Sequence, residues 1–139
     1  MRKLSEEYIA YSKYRFEKAG DDLRSAKALY DIGEYASANN RSYYSIFHSI
    51  RAVLALDTFD SKKHGIVIGE FRRRYIKTNI FPTDISDMIG SAFEIRTQSD
   101  YEDMYIASKG ETEEQIKNAE YVLSVIEKHL KNEGILESV

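Results

Sequence analysis

Residues 40–48 read Asn-Arg-Ser-Tyr-Tyr-Ser-Ile-Phe-His. Helical side chains three, four and seven positions apart share a face. Arg41, Tyr44 and His48 therefore project from one stripe, with Asn40 and Phe47 on its flank. A guanidinium grips phosphate through paired donors, and an imidazole titrates near neutrality. Such groups are rarely buried without a partner. A second polar run, Arg96-Thr-Gln-Ser-Asp100-Tyr101, is expected to supply that partner.

Metal-free cleavage of a phosphodiester needs a base, an acid and a positive charge beside the phosphorane. Arg96 or Arg41 would supply the charge and His48 the titrating group. Tyr101, a phenol, is a poor general base. Structural roles compete with these: Arg96 and Asp100 are spaced for an ion pair within one helix, Arg41 and Asp100 for a pair between helices, and His48 for a hydrogen-bonded core imidazole. His64 reads as a cap or surface group, and His129 as a cation suited to a helix C-terminus. No histidine has Glu three residues before it, so no di-iron helix motif is present. Phosphate-binding glycine loops are also missing. No metal or cofactor is expected.

The elements that position these groups are helices. One proline and seven glycines in 139 residues favour long uninterrupted helices. The first is predicted over Ser5–Asp31, with Phe16, Ala19, Leu23, Ala26, Leu29 and Tyr30 as its apolar stripe. Gly33 ends it. The second spans Glu34–Leu56 on Ala36, Tyr43, Phe47, Ile50 and Leu54, and the short connection makes the two an antiparallel hairpin. A third covers His64–Lys77, with Ile66, Ile68, Phe71 and Tyr75 inward. Thr83 is the expected N-cap of a fourth, carrying Ile85, Met88, Ile89, Ala92 and Phe93 toward Ser99 or beyond. A fifth is predicted to open on a Thr112–Gln115 capping box. It continues through Ile116, Ala119, Val122, Leu123, Ile126 and Leu130 and stops at Gly134. The sum is an all-α, antiparallel up-and-down bundle of four to five helices, one domain over residues 1–139.

The chain has no cysteine, which excludes disulfides and thiolate metal sites. It shows no secretory h-region and no apolar run long enough for a bilayer. We expect a cytoplasmic protein without membrane contact. A net charge of −3 disfavours a whole-surface polyanion binder. Lys62, Lys63, Arg72, Arg73, Arg74 and Lys77 are nevertheless opposed locally only by Glu70. Eleven tyrosines suit interfaces and semi-polar clefts.

The run Asn40–His48, then Lys63-His64-x-Gly through Glu70-Phe71, Phe93-Glu-Ile-Arg96 and Asp100-Tyr101, resembles the small stand-alone proteins of the HEPN-domain family over roughly Phe16–Leu130. The resemblance implies a helical bundle that pairs into a homodimer. In that family an Arg-x(4-6)-His motif marks metal-independent ribonucleases, many of them toxins partnered with a separate nucleotidyltransferase. Arg96 matches the motif arginine, four residues intervene, and the next position is Tyr101. The chain thus resembles the branch lacking the motif histidine. With the resemblance, the leading expectation is a nucleotide- or RNA-binding module working with a separately encoded nucleotidyltransferase in a toxin–antitoxin-like system; the residue chemistry makes Arg41, Tyr44, Asp100 and Tyr101 the expected ligand contacts. The rivals are a ribonuclease using Arg96 and His48, and a dimerisation module whose polar cluster only fixes helix register.

Overall fold

The computed structural model describes residues 5–137. Five α-helices follow one another: α1 (Glu6–Asp31), α2 (Tyr35–Leu54), α3 (His64–Phe71), α4 (Thr83–Tyr101) and α5 (Lys109–Asn132). There is no strand among the described residues. The all-α bundle read from the sequence is the fold.

The α1–α2 hairpin turns at Gly33, whose φ of +81° lies where a side chain would strain the backbone. The two helices then meet through small residues. Ala19, Ala26, Ala38 and Ala52 on these two helices are fully buried. This close approach lets the Ser12 hydroxyl donate to the Ala52 carbonyl, and the Ser45 hydroxyl to that of Ala19, each at 2.8 Å.

Helix α2 is central and packs on α1, α4 and α5. Twelve of its 20 residues are buried, so it is covered on most sides. Tyr43, Ile46, Phe47, Ile50 and Leu54 join Val67 and Phe71 of α3, Ile85 and Ile89 of α4, and Ala119, Val122, Ile126 and Leu130 of α5 in the core. Removing this apolar surface from water drives assembly of the helices.

Local details differ from the sequence expectations. Helix two ends at Leu54, and Ala55–Asp57 form a 3₁₀ turn. Ala36 is exposed and Ala38 is buried in its place. The third helix is α only to Phe71; Arg72–Ile76 continue as a π turn closed by Lys77 N–H on the Arg72 carbonyl. Arg72 there donates to the Ser86 hydroxyl (2.9 Å) and carbonyl (3.2 Å). It lies so close to Gly90 that a Cβ would sit 3.2 Å from the guanidinium. Ile66 is exposed and Val67 turns inward instead.

Thr83 is the first residue of α4 and makes no cap; extended Pro82 precedes it. The N-cap sits four residues upstream of the expected one and forms no reciprocal capping box. Ser108 Oγ accepts from Glu111 N–H at 3.1 Å, and the Glu111 carboxylate takes a hydrogen bond from Tyr105. Thr112 and Gln115 are instead buried, and Gln115 donates to Ser91 on α4 at 3.0 Å.

Candidate functional site

The two polar runs meet where the middle of α2 faces the last turns of α4. Asn40, Arg41, Tyr44 and His48 occupy successive turns of α2, while Arg96, Asp100 and Tyr101 close α4. The Arg96 guanidinium is the hub. Its Nε pairs with Asp100 Oδ2 at 3.0 Å, and its Nη2 donates to the Tyr44 hydroxyl at 3.0 Å. Its carbon lies 5.4, 5.3 and 5.5 Å from the ring centres of Tyr43, Tyr44 and Tyr101. Guanidinium–ring contacts of this range are attractive and strengthen as water is excluded. Only 14% of the Arg96 side chain is exposed.

Asp100 is shared between helices. Asn40 Nδ2 donates to its Oδ2 at 2.7 Å. Arg41 does not pair with Asp100 as the sequence allowed. Its Nη1 donates instead to Asp22 Oδ1 of α1 at 2.9 Å, and its Nε and Nη2 donate to Asn40 Oδ1 at 3.0 and 2.7 Å. The Arg41 guanidinium also sits 5.0 Å from the Tyr44 ring centre. The result is a continuous chain, Asp22–Arg41–Asn40–Asp100–Arg96–Tyr44, with two guanidinium groups balanced by two carboxylates. Beside it opens a groove of about 580 Å³ lined in part by Ala36, Asn40, Arg41, Ser99 and Asp100. A larger groove of about 710 Å³, lined by Arg73, Arg74 and His129 among others, belongs to a different part of the surface.

His48 lies at the sealed end of the chain. Its Nε2 is 3.6 Å from Asp22 Oδ2, and 13% of the side chain is exposed. Burial first, then the nearby Arg51, Lys18, Arg41 and Arg15 charges, bring its pKa down to about 4. The imidazole is therefore neutral at pH 7. Burial also raises the Asp22 carboxyl, against the pull of Arg41.

Tyr101 is 68% exposed at the outer edge of Arg96. The structure thus gathers Arg41, Tyr44, Asp100, Tyr101, Arg96 and His48 in one neighbourhood, with His48 innermost. Sequence reasoning missed Asp22, Tyr43 and His64. A carboxylate on the apolar stripe between Ala19 and Ala26 was the available sign of Asp22. Nothing in local spacing pointed to His64, which stacks on Phe47 with ring centres 4.1 Å apart and meets the Tyr43 hydroxyl at Nδ1 (2.7 Å). Among the described residues no group of three or more His, Asp or Glu is placed to hold a metal ion. No described helix is long and apolar enough to cross a membrane.

Residues 12–129 match the model of the HEPN domain family. Among curated proteins, the chain is 31% identical over 121 residues to "Putative toxin MJ0142" of Methanocaldococcus jannaschii, covering 87% of this chain and 82% of that one. A UPF0332 protein of Thermotoga maritima is 29% identical over 127 residues, covering 91% and 94%. The crystal structure of TT1696 from Thermus thermophilus has the same fold, with a TM-score of 0.71 at 18% identity over 84% of this chain and 96% of that one. Family match, relatives and helical architecture agree, and the chain belongs to the HEPN domain family.

Proposed function

We propose that this chain is a toxin-like helical module that binds the phosphates of RNA or a nucleotide at Arg96. The observation that carries this reading is the Arg96 guanidinium, ion-paired with Asp100 (Nε–Oδ2 3.0 Å, without a hydrogen bond at Nε) and hydrogen-bonded at Nη2 to Tyr44. Its Nη1 has no partner among the described residues and is not sealed from solvent. A guanidinium oriented in advance, with one edge open, suits phosphate. The exposed Tyr101 ring beside it offers a face for a base to stack on, as single-stranded RNA binders do. Two relatives support the toxin-like part: MJ0142 and MJ0605 of Methanocaldococcus jannaschii both carry the name "Putative toxin". In this reading the chain acts with a separately encoded nucleotidyltransferase.

Binding is favoured over cleavage through Arg96 and His48. His48 is neutral, as a base must be, but its Nδ1 is buried without a partner and its Nε2 faces Asp22. A substrate hydroxyl would have to displace the α1–α2 packing to reach it.

The test is fluorescence anisotropy of a labelled single-stranded oligoribonucleotide, with AMP and ATP as competitors, at low salt in EDTA. Binding that weakens with salt and is lost in Arg96→Ala is expected. Absence of binding to all three probes would overturn the reading. Gel analysis of the same samples separates the ribonuclease alternative, which requires EDTA-resistant cleavage lost in both Arg96→Ala and His48→Ala. If Arg96→Ala lowers thermal stability while leaving affinity unchanged, the cluster only fixes helix register.

A second reading concerns assembly. Phe93, Tyr101, Met104 and Ile106 are 38–90% exposed on α4 and the segment that follows it. Apolar side chains in such number suit burial against a second copy, and a homodimer is the state expected from light scattering. A monomer at micromolar concentration would remove this reading.

A further inference from the structure

We infer that His64 is the second phosphate-contacting group beside Arg96, and that Tyr43 sets the tautomer in which it works. The inference rests on the phosphate-binding reading above and adds a residue that reading does not use. His64 is the first residue of α3, and its half-buried ring is packed on three rings of α2, those of Tyr43, Tyr44 and Phe47. It stacks on Phe47 with centres 4.1 Å apart and meets Tyr44 edge-on at 5.7 Å. Tyr44 is the same side chain whose hydroxyl holds Arg96. The imidazole and the guanidinium therefore border one ring from different elements; burial first, and then the Arg96 charge, lower the His64 pKa.

Tyr43 decides which nitrogen carries the hydrogen. Its hydroxyl lies 2.7 Å from His64 Nδ1 in a side chain only 1% exposed. Burial raises the phenol pKa, so the hydroxyl keeps its proton. That proton has no other acceptor among the described residues, so Tyr43 donates to Nδ1. Burial, then Arg96 and Arg51, lower the His64 pKa and favour the neutral ring. A neutral imidazole accepting at Nδ1 carries its hydrogen at Nε2. That Nε2 has no partner among the described residues and is not sealed from solvent. The unpartnered Nε2 is then an N–H donor, complementary to a phosphate oxygen and unable to act as a base in this state. The ligand class is a phosphodiester or phosphomonoester whose oxygens span Arg96 Nη1 and His64 Nε2.

The experiment has two arms. In the first, the labelled oligoribonucleotide is titrated against His64→Ala, His64→Asn and His64→Gln. Asn places its amide near the Nδ1 position, and Gln reaches toward Nε2. Ala and Asn should weaken binding about fivefold to tenfold, and Gln should restore most of the loss. Wild-type affinity in both Ala and Asn, with Arg96→Ala still binding-defective, would overturn this inference and leave the Arg96 reading standing. Failure of the wild-type protein to bind overturns both. In the second arm, nitrogen NMR of the histidine rings reports the tautomer without any ligand. Nε2–H is expected for His64 in the wild type, with a mixture of tautomers in Tyr43→Phe. An Nδ1–H tautomer in the wild type would overturn the role given to Tyr43.

Discussion

Arg96 donates to the Tyr44 hydroxyl at 3.0 Å across 52 residues of sequence, so the end of α4 is locked to the middle of α2 by the group that also carries the site's open charge. Stability and binding are thereby coupled at one side chain. Tyr44→Phe should cost about 1 kcal/mol in urea unfolding, the usual worth of one hydrogen bond. Arg96→Ala should cost about 1–2 kcal/mol, because the Tyr44 hydrogen bond, the partly solvated Asp100 pair and the contacts with three tyrosine rings are lost together. The double variant should show coupling of about 0.5 kcal/mol or more. Strict additivity would mean that the two side chains do not interact in solution.

Stability should fall as pH drops from 6.5 toward 4, through His48. In the unfolded chain the ring titrates near 6.5, and in the fold near 4. Between these values the unfolded state binds more protons, so acid favours unfolding. A difference of this size corresponds to about 3 kcal/mol at most. The groups facing the ring are Arg15, Lys18 and Asp22 of α1 and Arg41 and Arg51 of α2. Asp22, raised by burial, takes up its proton earlier in the fold than when unfolded, which opposes the trend at the acid end. Urea midpoints from pH 7 to 4.5 should decline in the wild type and flatten in His48→Gln. Parallel profiles would refute the assignment.

Asp60 fastens the segment that leads into α3. It takes Arg15 of α1 at 2.9 Å and Arg51 of α2 at 2.8 Å, and these cations hold its pKa below the ordinary value although burial pushes the other way. The stabilisation is present above the unfolded carboxyl pKa and disappears as pH falls through the depressed one. Asp60→Ala should cost about 0.5–1 kcal/mol at low salt, since the carboxylate is two-fifths exposed and screened by water, and less at high salt. Hydrogen exchange in residues 57–66 should quicken in the variant, since this pairing anchors the approach to His64. Unchanged exchange there would show that the loop is held by something else.

The α1–α2 contact admits little added bulk. Ala19 is sealed against the helix that carries Ser45, whose hydroxyl bonds the Ala19 carbonyl. Ala19→Leu should destabilise by about 2–3 kcal/mol through overpacking, whereas Ser45→Ala should cost about 1 kcal/mol. Calorimetry on both variants tests the ranking. A tolerated leucine would mean that the helices can separate without loss.

The order of residues was enough to specify the helices and their class. The apolar period of α5, the turn at Gly33 and the scarcity of proline depend on local backbone geometry and on burial of one face, which short-range spacing encodes. It also singled out Arg96 and the Asn40–His48 stripe, because charge on a helix that must pack is visible without coordinates. The pairings, by contrast, were settled by how the helices pack. Arg41 turns to Asp22 and not to Asp100, since α1 lies alongside α2 and the Asn40 amide already fills the space toward α4. His64 joins the site only because the loop after α2 folds its ring onto Phe47 and Tyr43. Such choices depend on distances between segments far apart in the chain, and the periodicity of one helix carries no record of them.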